Sequence, residues 1–143
     1  MKSKDIIEED KKYIAGTYAR FPVAFKEGKG SRLYDYDGRE YVDCGSGIAV
    51  NIFGVNDEEW KNAVIAQMNS IQHASNLYYT KPQADLACLL CEMTGAKKVF
   101  FGNSGAEANE CAIKAARKYG EIKHGADRKQ IITLKESFHG RTL

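Results

Sequence analysis

The chain has 143 residues, 43% of them hydrophobic, which is enough apolar material for one ordinary globular domain and excludes a disordered chain. Its 21 Lys and Arg stand against 19 Asp and Glu, spread along the sequence without a dense basic stripe, which argues against a nucleic-acid binder. The opening MKSKDIIEEDKKY lacks the apolar centre of a secretion signal and no stretch is long enough to cross a bilayer, so a cytoplasmic location is expected.

The first dozen residues read as a short charged helix, followed by an irregular entry, TYARFPVAFKEGKG, into β structure. In RLYDYDGREYVDC, Asp37-Gly38 separates two runs rich in tyrosine and aliphatic residues, and a two-residue Asp-Gly link suits a hairpin with a type I′ turn. The glycine-punctuated GSGIAVNIFGVN reads as a connection lining something rather than as a regular element. Asn56 or Asp57 then caps a helix whose first turn carries Glu58 and Glu59, with Trp60, Val64, Met68 and Ile71 on a face expected to be buried. The next helix, in TKPQADLACLLCEMTG, has Thr80 and Gln83 in capping-box spacing, tolerates Pro82 in its first turn and stops at Gly95. The cysteines at 44, 88, 91 and 111 form no regular framework and are expected as thiols. Cys88 and Cys91 make a C-x-x-C, but on the apolar face of that helix they read as core side chains rather than a metal or redox pair.

In VFFGNSGAEAN a short apolar run, read as a buried strand, breaks at Gly102. Ser104 and Glu107 again stand in capping-box spacing, opening a helix expected to reach about Tyr119 and to end at Gly120. QIITL is a second strand candidate, followed by SFHGRTL. Strand, helix and strand predict a parallel pair with a right-handed crossover, which places GNSGAEAN and SFHGRTL on one sheet edge, where ligands of open α/β sheets gather. A parallel sheet is covered on both faces, whereas this chain offers two strands for it. The chain is therefore expected to be the amino-terminal part of a longer protein, or a piece that needs a partner.

Each loop has a plain and a chemical reading. Ser104 can be an N-cap and Gly105 a tight turn; equally, the first N–H groups of a helix, with Gly105 and Ala106 offering little bulk, can seat a phosphate. Phe138 can be core or can present a ring face to a flat heteroaromatic ligand. Arg141 can be a solvated charge or a two-pronged carboxylate holder. His139 is ambiguous, and no triad surrounds it. A phosphate seat, an aromatic face and a carboxylate fork on one edge suggest a flat phosphorylated cofactor with a carboxylate-bearing substrate, pyridoxal phosphate being the natural candidate.

TYARFPVAF, YDGREYVDCGSGIAVN, ASNLYYTKPQ, VFFGNSGAEANECAIKAARKYG and SFHGRTL together resemble the class III pyridoxal-phosphate-dependent aminotransferases of the acetylornithine and ornithine type. The resemblance implies an α/β fold, the amino-terminal part of a fold type I, aspartate aminotransferase-like PLP-dependent transferase. Residues 1–52 would be a small-domain segment with the hairpin, and 53–143 the incomplete first part of the large cofactor-binding domain. It implies that Ser104, Gly105 and Ala106 seat the phosphate, so that here the chemical reading of VFFGNSGAEAN is preferred. Phe138 would stack on the pyridine ring, with His139 beside it on the cofactor side, and Arg141 with Tyr18 would line the pocket for the remote substrate carboxylate. The implied reaction moves the terminal amino group of N2-acetylornithine to 2-oxoglutarate, a step of arginine biosynthesis, in a homodimer. Ornithine or 4-aminobutyrate is the alternative donor, and a noncatalytic assembly or phosphate-binding piece is the alternative of another class. Where the family has Gly-His-x-His-Pro, this chain has GVNDEEW, with Asn56 and Asp57 able to supply the cap. The Schiff-base lysine and the acid that pairs with the ring nitrogen lie beyond FHGRTL in the family, so no catalytic residue is assigned here.

Overall fold

The computed structural model describes residues 1–142 and groups the chain into two compact units, Met1–Ala74 and Ser75–Leu143. Leu143, the last residue of the FHGRTL motif, lies outside the described residues. The expected division at residue 52 concerned the domains of a whole enzyme and is a different boundary from this one. Among the described residues no helix is long and apolar enough to cross a membrane.

The first unit opens with α1 (Ser3–Tyr13), whose start is held by the Asp5 carboxylate accepting from the Lys2 N–H at 2.8 Å. Ser3 is buried, and its N–H donates to the Asp37 carboxylate at 3.4 Å, which ties α1 to the hairpin tip. Strands β1 (Phe25–Lys29), β2 (Arg32–Asp35) and β3 (Glu40–Val42) form one antiparallel sheet in sequence order. Leu33 faces Gly28 on one side and Tyr41 on the other, and the register of β1 shifts between Phe25 and Glu27.

The hairpin is present but its turn is not type I′. That turn needs positive φ at both central residues. Here Gly38 alone has it, at +81°, and its N–H donates to the Asp35 carbonyl at 3.2 Å. The loop is therefore one residue longer, a right-handed turn followed by a glycine bulge. The cause is Asp35, 4% exposed, whose carboxylate accepts from the Asp37 N–H (2.9 Å), the Arg39 N–H (2.8 Å) and the Tyr41 hydroxyl (2.8 Å). Burial pushes this carboxyl up, but the three hydrogen bonds and the Arg39 charge outweigh it and hold the group below its ordinary value. The Tyr41 hydroxyl is raised by the same bond and by burial, and its ring meets Phe25 edge-on with centroids 5.5 Å apart.

The GSGIAVN connection lines something, as expected. Asp43 accepts from the N–H groups of Gly45 (2.9 Å) and Ser46 (2.7 Å), and α2 (Ser46–Ala49) is a single turn wound left-handed, with φ of 48°, 61°, 62° and 60°. With Gly30, Ser31 and Phe53 it borders a cavity of about 300 Å³. Helix α3 (Glu58–Ser70) follows, capped by Asp57, whose carboxylate accepts from the Trp60 N–H at 2.8 Å. Its Trp60, Val64, Met68 and Ile71 face, expected to be buried, is exposed.

In the second unit α4 (Lys81–Thr94) has Pro82 in its first turn and ends on Gly95 at φ +74°. Thr80 is its N-cap residue but makes no side-chain cap bond, so the capping box with Gln83 does not form. All four cysteines are thiols. They are not core side chains: Cys88 is exposed and Cys91 half-buried. The Cys88 thiol donates to Glu92 at 3.4 Å, and that hydrogen bond, with the Glu92 charge, pushes it up and away from reactive thiolate.

Neither predicted parallel strand forms. Residues 98–101 and 130–134 form no regular element and lie outside any sheet, and the antiparallel sheet of the first unit is the one sheet among the described residues. A strand exists only through a neighbour's backbone groups, and these two segments do not pair with each other. Helix α5 (Gly105–His124) also runs past its expected end, straight through Gly120. Gly120 is buried because the following loop lies on it: a Cβ there would be 2.2 Å from the Arg128 carbonyl oxygen. Among the described residues no apolar side chain is buried.

Candidate functional site

The start of α5 is built by a clamp around Glu107. Ser104, extended at φ −150°, is the N-cap, and its hydroxyl oxygen accepts from the Glu107 N–H at 3.2 Å. The same hydroxyl donates to one oxygen of the Glu107 carboxylate at 3.1 Å, and the Asn103 amide donates to the other at 3.3 Å. The Asn103 bond first, then the Ser104 bond, hold the Glu107 carboxyl below its ordinary value against burial. This reciprocal box was legible from the Ser104 to Glu107 spacing, whereas nothing in the sequence marked Asn103 as its third member.

Among the described residues the N–H groups of Gly105 and Ala106 have no acceptor. Nothing lies within 4 Å of where a Gly105 Cβ would be, so the space beside Gly105 is open. The 20-residue helix behind them adds partial positive charge at this end. A phosphate fits here, each charge-assisted hydrogen bond contributing roughly 1.5–3 kcal/mol net. The cap role of Ser104 does not bar it from the seat. A hydroxyl has one donor and two acceptor positions, so it can keep the Glu107 N–H on a lone pair while its hydrogen turns from the Glu107 carboxylate to a phosphate oxygen.

The second loop meets this helix start, although without the expected sheet edge. Gly140, at φ +97°, rests against Ala106: a Cβ on it would lie 2.7 Å from the Ala106 Cβ and 3.1 Å from its Cα. One helical turn further on, Lys114 (Nζ to Oε2 2.8 Å) and then Thr142 hold the Glu110 carboxyl low. Phe138 is 81% exposed and His139 and Arg141 are exposed. The structure thus brings Ser104, Gly105 and Ala106 together with the segment carrying Phe138, His139 and Arg141. Gly140 and Glu110 were missed by sequence reasoning, since their roles are contacts between segments distant in sequence. Tyr18 belongs to the first unit, where with Ile14, Phe21, Pro22 and Phe25 it lines a cavity of about 410 Å³. Among the described residues no cluster of three His, Cys, Asp or Glu side chains is placed to hold a metal ion.

The family model described as aminotransferase class-III matches residues 13–143. The chain is 52% identical to an acetylornithine aminotransferase of Haemophilus ducreyi over 143 residues, covering all of this chain and 36% of that protein. It is 44% identical to the acetylornithine aminotransferase of Methanothermobacter thermautotrophicus, again over the whole chain and 35% of the relative. Among solved structures, an N-acetylornithine aminotransferase from Stenotrophomonas maltophilia superposes with a TM-score of 0.80 at 39% identity, covering 94% of this chain and 36% of that one. An ornithine aminotransferase from Toxoplasma gondii reaches a TM-score of 0.87 at 26% identity, over 99% and 34%. The chain spans about a third of the length of the curated relatives it matches.

Proposed function

The chain belongs to the class III aminotransferases, pyridoxal-phosphate-dependent enzymes, and from that membership we propose that its whole protein moves the terminal amino group of N2-acetylornithine to 2-oxoglutarate in arginine biosynthesis. Its fold is that of the amino-terminal part of such an enzyme. The observation that carries the substrate reading is the 52% identity to the Haemophilus acetylornithine aminotransferase along all 143 residues. The ornithine aminotransferases among the solved structures stand at 26–32% and favour the alternative donor less. Residues 1–52 are read as small-domain and 53–143 as large-domain chain, and the whole enzyme as a cytoplasmic homodimer.

When bound, pyridoxal phosphate supplies the electron sink for amino transfer. The residues of this chain bind and orient around it. The Gly105 and Ala106 N–H groups and the Ser104 hydroxyl would hold its phosphate. Phe138 would stack on the ring and shield it from water, and His139 would be a further cofactor-side residue. Arg141 holds the substrate carboxylate remote from the reacting amine through two parallel hydrogen bonds, with Tyr18 as a substrate-lining residue of the assembled enzyme. By themselves the 143 residues are read as inactive, because the family's cofactor-holding lysine lies beyond them.

The test is glutamate formation by the full-length enzyme, supplied with pyridoxal phosphate and 2-oxoglutarate and offered N2-acetylornithine, ornithine or 4-aminobutyrate in turn. The expected outcome is the highest kcat/KM with N2-acetylornithine. Turnover with ornithine or 4-aminobutyrate and none with N2-acetylornithine would sink the donor assignment. Turnover by the 143-residue polypeptide alone would sink its assignment as an incomplete piece.

A further inference from the structure

We propose that Gly140 is a positioning residue of the site described above: its missing Cβ lets the loop carrying Phe138 and Arg141 bear directly on Ala106, fixing the spacing between the phosphate donors and that loop. The inference rests on the aminotransferase reading.

Residue 106 contributes one of the two open N–H donors, and residue 140 lies two positions after the ring-covering side chain and one before the carboxylate holder. Residue 106 is the half-buried position within 100–108 and residue 140 the half-buried position within 121–142, each where loop and helix touch. A methyl group at 140 would sit 2.7 Å from the Ala106 Cβ, whereas carbon atoms pack at roughly 3.5–4.0 Å. The loop would have to retreat on the order of 1 Å, a displacement of the size that costs about 100-fold where reacting groups must be aligned. The φ of +97° also favours glycine, and a backbone requirement alone would leave residue 106 irrelevant. The two causes are separable from the helix side of the contact.

The experiment compares Gly140→Ala, Ala106→Leu and the double variant Gly140→Ala with Ala106→Gly in the full-length enzyme. Three quantities are read: pyridoxal phosphate affinity of the apoenzyme by fluorescence quenching, KM for 2-oxoglutarate, and the unfolding midpoint of the apoenzyme. Gly140→Ala is expected to weaken cofactor binding and raise KM about tenfold each. Ala106→Gly in that background is expected to recover more than half of the loss on a logarithmic scale, although the strained φ remains. Ala106→Leu, at a helical position where φ is unproblematic, is expected to reproduce the loss with the unfolding midpoint unchanged. Normal affinity and KM in Ala106→Leu would overturn the proposal, as would a Gly140→Ala loss that Ala106→Gly does not relieve. If Gly140→Ala does not fold, Ala106→Leu decides alone by the same criterion. Failure of the unsubstituted enzyme to bind pyridoxal phosphate would overturn the aminotransferase reading and this proposal together; a normal enzyme with indifferent variants overturns this proposal only.

Discussion

Asp35 is buried at the turn of the hairpin with three donors around one carboxylate. Because its carboxyl lies below the ordinary value when folded, the folded chain binds fewer protons here than the unfolded one. The stability it contributes is complete above the ordinary aspartate value and is lost as pH falls through the depressed one. Urea midpoints of the unsubstituted protein should therefore drop as pH falls through and below the ordinary aspartate range, and Asp35→Asn should be less stable at neutral pH and show a shallower acid limb. An identical acid limb in the variant would place the titration elsewhere. Ser104 is the second residue on which a measurement turns, since its hydroxyl serves the helix start and is offered to a phosphate. Ser104→Ala should cost the apoenzyme about 1 kcal/mol of stability through the lost cap and, separately, weaken pyridoxal phosphate binding up to roughly tenfold. Calorimetry and a cofactor titration on one variant separate the two, and unchanged cofactor affinity would reduce Ser104 to a cap.

At the scale of elements the helices were legible and the parallel strands were not. A helix closes its hydrogen bonds within a dozen residues, so Asp57, Pro82, Gly95 and Ser104 mark real boundaries by local chemistry. The 98–101 and 130–134 segments carry strand composition, but a ladder depends on backbone supplied by other segments. The same distinction holds within the site. The capping pair Ser104 and Glu107 stands out in the sequence, while the seating of Gly140 on Ala106 needs the loop's path through space. Gly120 misled for this reason: it was read as a helix stop, yet α5 continues through it and the glycine makes room for Arg128. In a free helix Gly→Ala gains about 1 kcal/mol. Here Gly120→Ala should instead lower the thermal midpoint and speed proteolysis in the 125–130 loop, and a stabilised variant would contradict the close approach.

At the scale of the whole molecule, no apolar side chain among the described residues is buried and many large ones are exposed. Leu77, Tyr79, Ile132 and Leu134 are 83% or more exposed, and the Trp60, Val64, Met68 and Ile71 face that periodicity assigns to a core is exposed. Large apolar side chains left this exposed favour contact with further protein. The 143-residue polypeptide produced alone should bind anilinonaphthalene sulfonate strongly and form assemblies larger than a dimer, and the full-length enzyme should do neither; weak dye binding by the short polypeptide would show that its faces close on themselves. The left-handed turn at Ser46–Ala49 has a consequence for how the chain tolerates change. Three of its four residues carry side chains in a backbone region that costs roughly 1–2 kcal/mol for each residue with a Cβ. A glycine scan, which would erode stability along the helices, should reverse sign here: Ile48→Gly, losing a side chain that is 95% exposed, should raise the unfolding midpoint. Ile48 then occupies an inverted stretch of the mutational landscape, where the residue present is worse for folding than the simplest replacement.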